Sequence, residues 1–172
     1  IFLYSSSKNN TIFNNTLSRN AVPSSSSHGG ITLSFHSDYN EVYNNTGYQS
    51  NILIDRSIHN TIFDNTFESG TNGIYLYTST DNNSIINNTI TSYNYGFRGS
   101  GQENQIIDNN FINCNSYGIY LSSPKNYTIT DNVITGSDKG IYAYNGENNS
   151  LIRNQIFGSI TYDIFIKESD NW

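Results

Sequence analysis

Residues 73–90 read GIYLYTSTDNNSIINNTI and place four asparagines, Asn82, Asn83, Asn87 and Asn88, on a segment with a single charged side chain. Asparagine forms helices poorly and is depleted in strands, so this density implies either disorder or one geometric task performed repeatedly. Repetition decides between the two. Gly-Ile-Tyr-Leu at Gly73 returns at Gly118 and, as Gly-Ile-Tyr-Ala, at Gly140; weaker copies begin at Gly30, Asn51, Gly96 and Asp163. Successive starts lie 21 to 23 residues apart. A repeat of that length marks a solenoid, whose units cannot bury their apolar sides alone.

Aligned copies share Asn-x-apolar-x-x-Asn. It runs Asn10 with Asn15, Asn40 with Asn45, Asn60 with Asn65, Asn83 with Asn88, Asn104 with Asn109, Asn126 with Asn132 (one residue longer) and Asn149 with Asn154. Between them apolar residues alternate over two to four positions, punctuated by Gly, Asn, Ser and Asp, which is the period of short strands and not of helices. The expected fold is all-β: a single-stranded parallel β-helix of seven to eight coils of about 22 residues, stacked at about 4.8 Å. In it Asn15, Asn45, Asn65, Asn88, Asn109, Asn132 and Asn154 form a structural ladder, each combining left-handed turn geometry with a side-chain amide donated to the next coil.

Gly30-Ile-Thr-Leu, Gly73-Ile-Tyr-Leu-Tyr, Asn83-Ser-Ile-Ile-Asn-Asn-Thr-Ile and Asn104-Gln-Ile-Ile-Asp-Asn-Asn-Phe resemble the repeats of NosD-like and CASH-type surface proteins of the pectate-lyase-like superfamily. The resemblance spans essentially the whole chain and implies right-handed coiling. It implies no single activity, because the superfamily includes polysaccharide lyases, hydrolases, epimerases, phage tailspikes and noncatalytic surface proteins.

The 172 residues carry a net charge of −6 with a pI near 4.8, as expected of one acidic domain over 1–172. Eight Lys and Arg are too few for a phosphate-binding surface, so nucleic acid is an unpromising partner, and no apolar run is long enough to span a membrane. Between Leu17 and Gly30 the step is about eight residues too long, which places a Ser-rich loop insertion at 20–29. The chain begins on a strand without Met or a leader, as would a processed precursor or part of a longer protein. Cys114 has no disulfide partner and is expected in the core beside Phe111 and Ile112.

Chemistry-bearing clusters are scarce. His28, His36 and His59 lack metal-ligand spacing and Met is absent, so neither a metal nor another cofactor is expected, including the copper associated with one branch of NosD-like proteins. The best catalytic candidates are Asp108 and Asp131, in the column preceding the ladder asparagines. They would stand one coil apart, and crowding could raise one pKa as in a glycosidase pair; alternatively both are turn formers. On the Gly-Ile-Tyr-Leu strand the residue between Ile and Leu should point outward, giving Tyr75, Arg98, Tyr120 and Tyr142, with Tyr77 and Tyr144 two positions on. Such a strip suits sugar rings or a protein partner, or it can stabilise itself by stacking. Sequons at Asn9, Asn14, Asn44, Asn82, Asn87 and Asn148 are candidate outward glycosylation sites, whereas Asn126 is assigned to the ladder.

Two readings follow. The first is a noncatalytic structural protein of the cell surface or extracellular space (layer, sheath or fibre subunit) that forms homo-oligomers or polymers head to tail through open coil ends. The second is a carbohydrate-binding or carbohydrate-cleaving module of a larger surface protein, with a polysaccharide as partner.

Overall fold

The computed structural model describes residues 1–18, 30–170 and 172, so the expected insertion at 20–29 lies outside the described residues. Strands follow one another in threes. The first coil holds β1 (Phe2–Tyr4), β2 (Thr11–Phe13) and β3 (Thr16–Ser18); the second holds β4 (Ile31–Ser34), β5 (Glu41–Tyr43) and β6 (Thr46–Tyr48). β7 (Ile52–Asp55) and β8 (Thr61–Phe63) lead into the long β9 (Thr66–Leu76), and β10 (Ser84–Ile86) into the long β11 (Thr89–Gly99). β12 (Gln105–Ile107), β13 (Asn110–Ile112), β14 (Tyr117–Ser122), β15 (Thr128–Thr130) and β16 (Val133–Thr135) continue the pattern. β17 (Lys139–Tyr144), β18 (Ser150–Ile152), β19 (Gln155–Phe157) and β20 (Tyr162–Lys167) complete it.

All pairings between these strands are parallel, and each joins one coil to the next. Three walls result. The first stacks β1, β4, β7, the second halves of β9 and β11, then β14, β17 and β20; the second stacks β2, β5, β8, β10, β12, β15 and β18; the third stacks the remainder. The seven strands of the second wall are connected by six complete turns of the solenoid. That is slightly below the seven to eight coils expected.

Strand alternation fills the interior. Val42, Ile62, Ile85, Ile106 and Ile129 stack in register on the second wall, and Phe67, Ile90, Phe111 and Ile134 on the third, all with no exposed surface. Each such side chain contributes about 1.5–3 kcal/mol of burial, repeated coil after coil. The glycine opening the repeated phrase has a steric cause. A Cβ on Gly118 would stand 2.4 Å from Ile134 Cγ2 and 2.8 Å from the carbonyl oxygen of Gly140 in the next coil. Gly73 and Gly96 meet the same obstruction, at 2.6 and 2.7 Å from the following coil's carbonyl.

The asparagine task divides between two neighbours. Left-handed geometry belongs to the residue before each ladder position: Asn14, Asn44, Asp64, Asn87, Asp108, Asp131 and Arg153 all have φ between +50° and +57°. The ladder residue itself supplies the hydrogen bonds. Asn88 donates its amide to the carbonyls of Ile62 (2.9 Å) and Ile86 (3.0 Å) and to Asn109 Oδ1 (3.0 Å), while its Oδ1 accepts both the backbone N–H and the amide of Asn65. The expected single residue performing both tasks is therefore two residues. The reversal falls mostly to Asn and Asp, which tolerate the left-handed region best, with Arg153 the exception, and only the following residue points inward to the next coil.

Asn126 also departs from expectation. It has φ +53°, like Asn9, Asn82 and Asn148 at the equivalent corner, and the first ladder is continued by Tyr127. The Tyr127 backbone N–H donates to Asn149 Oδ1 at 2.9 Å, and its hydroxyl accepts the Asn104 amide at 3.0 Å and donates to the Ser100 carbonyl at 2.7 Å. A buried phenol thus replaces a buried amide, and its pKa is pushed far up, first by desolvation. All seven sequon asparagines consequently share the left-handed corner geometry. Among the described residues no helix is long and apolar enough to cross a membrane.

Candidate functional site

Parallel in-register stacking turns a repeated outward position into a column of neighbours. On the first wall that column runs Phe2, Thr32, Leu53, Tyr75, Arg98, Tyr120, Tyr142, Phe165. Phe2 at its start is 56% exposed, but the next positions are covered, Thr32 and Leu53 at 3% and 2% and Tyr75 at only 6%, so the continuous accessible strip begins near Arg98. Tyr120 stacks on Tyr142 at 5.6 Å with 3° between ring planes, and Tyr142 on Phe165 at 5.2 Å and 8°. Tyr77 is 45% exposed, while Tyr144 sits half-buried, its hydroxyl accepting from Ser122 Oγ at 2.7 Å. That hydrogen bond and one from Tyr120 hold the Tyr144 phenol below its ordinary pKa; desolvation pushes Tyr120 and Tyr75 up.

A second aromatic column beside it was not anticipated. Gly96 and Phe97 are both buried, so alternation breaks and the outward direction resumes at Tyr95. Tyr95 lies in register with Tyr117, Tyr117 with Lys139 and Lys139 with Tyr162. Tyr95 and Tyr117 stack at 5.2 Å, and edge contacts at 5.5 and 5.4 Å tie them to Tyr120 and Tyr142 respectively. The signal was legible in the residue preceding two of the repeated glycines, Tyr95 before Gly96 and Tyr117 before Gly118. Arg98 lies within this group, its guanidinium carbon 4.9 Å from the centre of Tyr75, 5.3 Å from Tyr95 and 5.7 Å from Tyr120. Between Tyr75, Arg98, Tyr120 and Tyr144 opens a recess of about 140 Å³, edged by Ser100 and Ser122.

The carboxylates lie elsewhere. Asp108 and Asp131 occupy the corner between the second and third walls, so a full strand of the third wall separates them from the tyrosines along the coil. Arg153 grips Asp131 with two hydrogen bonds, Nε to Oδ1 at 2.7 Å and Nη2 to Oδ2 at 2.6 Å. These bonds hold the Asp131 carboxyl below the usual carboxylate range, the reverse of the raised value that crowding by a second carboxylate would produce. An ionised, paired carboxylate is poorly equipped to donate a proton to a leaving group. Cys114 is buried as expected, and burial pushes its thiol up to about 11.

A family profile described as periplasmic copper-binding protein (NosD) matches residues 46–172. The chain belongs to the NosD family. No curated protein matches it in sequence. Among solved structures it is similar to the A-module of mannuronan C-5 epimerase AlgE4 from Azotobacter vinelandii, at TM-score 0.52 and 15% identity. That likeness covers 96% of this chain and 57% of the epimerase module. It is similar also to the enzymatically active domain of tailspike protein 2 from bacteriophage CBA120, at TM-score 0.53 and 14% identity, covering 99% of this chain and 37% of the tailspike. At these identities the likeness concerns the fold alone, and the chain spans less than two thirds of either structure.

The family description implies copper, and the described residues do not fit it. Among them no three His, Cys, Asp or Glu side chains converge on a possible ion position. His36 and His59 lie on left-handed turns of different coils, with the His59 ring stacked on Tyr39 at 4.9 Å. The Cys114 thiol is buried and held protonated, and the chain has no Met to offer a soft ligand. His28 lies outside the described residues.

Proposed function

We propose that this NosD-family chain is a noncatalytic structural β-helix module of the periplasm or cell surface, stacking head to tail with a second copy. The observation that supports this most directly is the coil containing β20. Ile164 and Ile166 are 49% and 38% exposed there, whereas their register partners Ile141 and Ala143 are fully buried beneath that coil. Inward-pointing isoleucines are chemically equipped for a further coil, and among the described residues β20 pairs on one side only, with β17, which leaves its other edge to a second copy or to further chain. The first coil supplies a matching face: Phe2 would continue the ring column beyond Phe165, and Tyr4 would meet Lys167.

Sedimentation tests the axial contact. The unmodified chain should show concentration-dependent association, and the Ile164→Lys, Ile166→Lys double variant should remain monomeric with its melting curve preserved. Association that survives both lysines removes the head-to-tail contact from the proposal.

The recess beside Arg98 favours a second reading, a carbohydrate-binding module. Stacked tyrosine rings next to hydroxyl groups suit a sugar, whose C–H faces pack on aromatic surface while its hydroxyls take up hydrogen bonds. Cleavage by Asp108 with Asp131 is the weaker form of this reading, since that corner shares no surface with the tyrosines. The two readings are compatible, because axial stacking leaves the outward side of the first wall free.

A further inference from the structure

Lys8, Arg56, Lys125, Lys139, Arg153 and Lys167 each reach a carboxylate within 2.5–3.0 Å. Arg98 does not. Among the described residues its guanidinium has no ion-pair or hydrogen-bond partner and touches only the rings of Tyr75, Tyr95 and Tyr120. In a chain of net charge −6 a cation without a carboxylate is the exception.

Ring contacts engage the faces of a guanidinium and leave its N–H edge unused. Arg98 is half-buried, so that edge is already partly stripped of water and attracts an oxyanion more strongly than a free surface arginine does. The neighbouring hydroxyls extend the polar side of the recess: Ser122 Oγ donates to Tyr144 and Ser100 Oγ donates to the Tyr77 carbonyl at 2.8 Å, so both oxygens are left to accept from a ligand's hydroxyl groups. Apolar rings on one side and an unneutralised fork on the other describe a ligand with an apolar face and an oxyanion on the same ring.

We infer that Arg98 is the charge-reading element of the tyrosine face and that its ligand is a sugar unit bearing a carboxylate. The carboxylate accepts two parallel N–H bonds from the guanidinium while the sugar ring packs on Tyr120 and Tyr142. Lysine would supply the charge without the fork. The inference rests on the carbohydrate-binding reading and adds the class of glycan.

Calorimetric titration with three tetrasaccharides of equal length separates the possibilities: a glucuronate tetramer, its carboxyl-reduced neutral counterpart and a sulfated glucose tetramer. The glucuronate tetramer should bind about tenfold or more tightly than the neutral one, with the gap shrinking as salt is raised. Arg98→Gln should remove about tenfold from glucuronate binding and change neutral binding less than about twofold; Arg98→Lys should fall between. Tyr142→Ala should weaken both ligands alike. Equal binding of acidic and neutral tetramers by the unmodified chain overturns the role of Arg98 while leaving the carbohydrate reading intact, a result that does not depend on any variant folding. Preference for the sulfated tetramer overturns the carboxylate assignment. Failure of all three to bind removes the carbohydrate reading together with the inference.

Discussion

The ladder corner and the tyrosine wall are built from the same repeat, yet they differ in what varies. At the corner, the ladder residue is Asn15, Asn45, Asn65, Asn88, Asn109, Asn132 and Asn154 without interruption, because every coil presents the same backbone groups to be satisfied. On the first wall the outward column passes from Thr32 and Leu53 to Tyr75, Arg98, Tyr120 and Tyr142, with an identical backbone beneath. Backbone demand cannot explain that change. In a solenoid, uniform columns report how the fold is held, and the columns that change composition are where a surface task can be written.

The contrast breaks first at the corner. Replacing Asn88 or Asn109 with Leu leaves the inward carbonyls and amides of two coils without partners, costing on the order of 1–3 kcal/mol per site in chemical denaturation. Gly118→Ala should cost a similar amount, roughly 1–3 kcal/mol, since its new methyl has backbone on one side and a packed isoleucine on the other. Unchanged melting in Asn88→Leu would mean that the ladder is decorative and that uniformity does not report stability.

Tyr127 sharpens the comparison, because the other ladder, formed by Asn10, Asn40, Asn60, Asn83, Asn104 and Asn149, changes residue there. Tyr127→Phe keeps the ring and leaves the Asn104 amide and the Ser100 carbonyl short of a partner, an expected loss of about 1 kcal/mol. Tyr127→Asn restores ladder chemistry but vacates the space the ring fills beneath Gly99, whose added Cβ would stand 3.2 Å from the tyrosine hydroxyl. If the asparagine variant is the less stable of the two, ring packing under the Arg98 recess is the reason the ladder changes residue there.

The fold was legible because repetition made each misreading local. Counting back two positions from Ile129, as from Ile85 to Asn83, lands on Tyr127; the assignment of Asn126 came from seeking an amide where the strand register asked only for an inward donor and acceptor. In Asp64-Asn65 and Glu103-Asn104 the recurring Asn is the second residue, a signal that separates the left-handed position from the ladder and that the expectation of one residue for both tasks passed over. The tyrosine strip followed from alternation, and its second column escaped because two adjacent residues, Gly96 and Phe97, face inward. A glycine inside a strand signals such a break. The missing carboxylate beside Arg98 was not legible at all, since it depends on side-chain reach between coils.

On the tyrosine wall, stability effects should be smaller than at the corner. Tyr142→Ala removes stacking on Tyr120 and Phe165 and an edge contact with Tyr117; these rings are only half-buried, so each pair belongs at the low end of the usual range, about 0.5 kcal/mol, and the total loss should be about 1.5 kcal/mol. A Tyr142→Ala loss exceeding that of Asn88→Leu would make the wall the structural element and reverse the comparison.

The smallest effect belongs to the carboxylate column, where corner geometry and surface chemistry meet. Asp131 and Asp138 are both held below their ordinary pKa, the first by Arg153 and the second by Lys139 and Thr161. A depressed carboxylate stabilises the fold above the unfolded value of about 3.9 and loses that contribution as pH falls through the folded value. Both groups are at the surface, so the contribution is slight. The Asp108→Asn, Asp131→Asn double variant should therefore melt like the unmodified chain near neutral pH, because asparagine accepts the left-handed corner as readily as aspartate does. Its melting temperature should fall less steeply between about pH 4 and pH 2, since one depressed carboxylate no longer titrates. Neither protein should release sugar from acidic or neutral polysaccharides. Turnover by the unmodified chain that disappears in the double variant would make the corner a catalytic site and end the noncatalytic proposal, whatever the melting curves show.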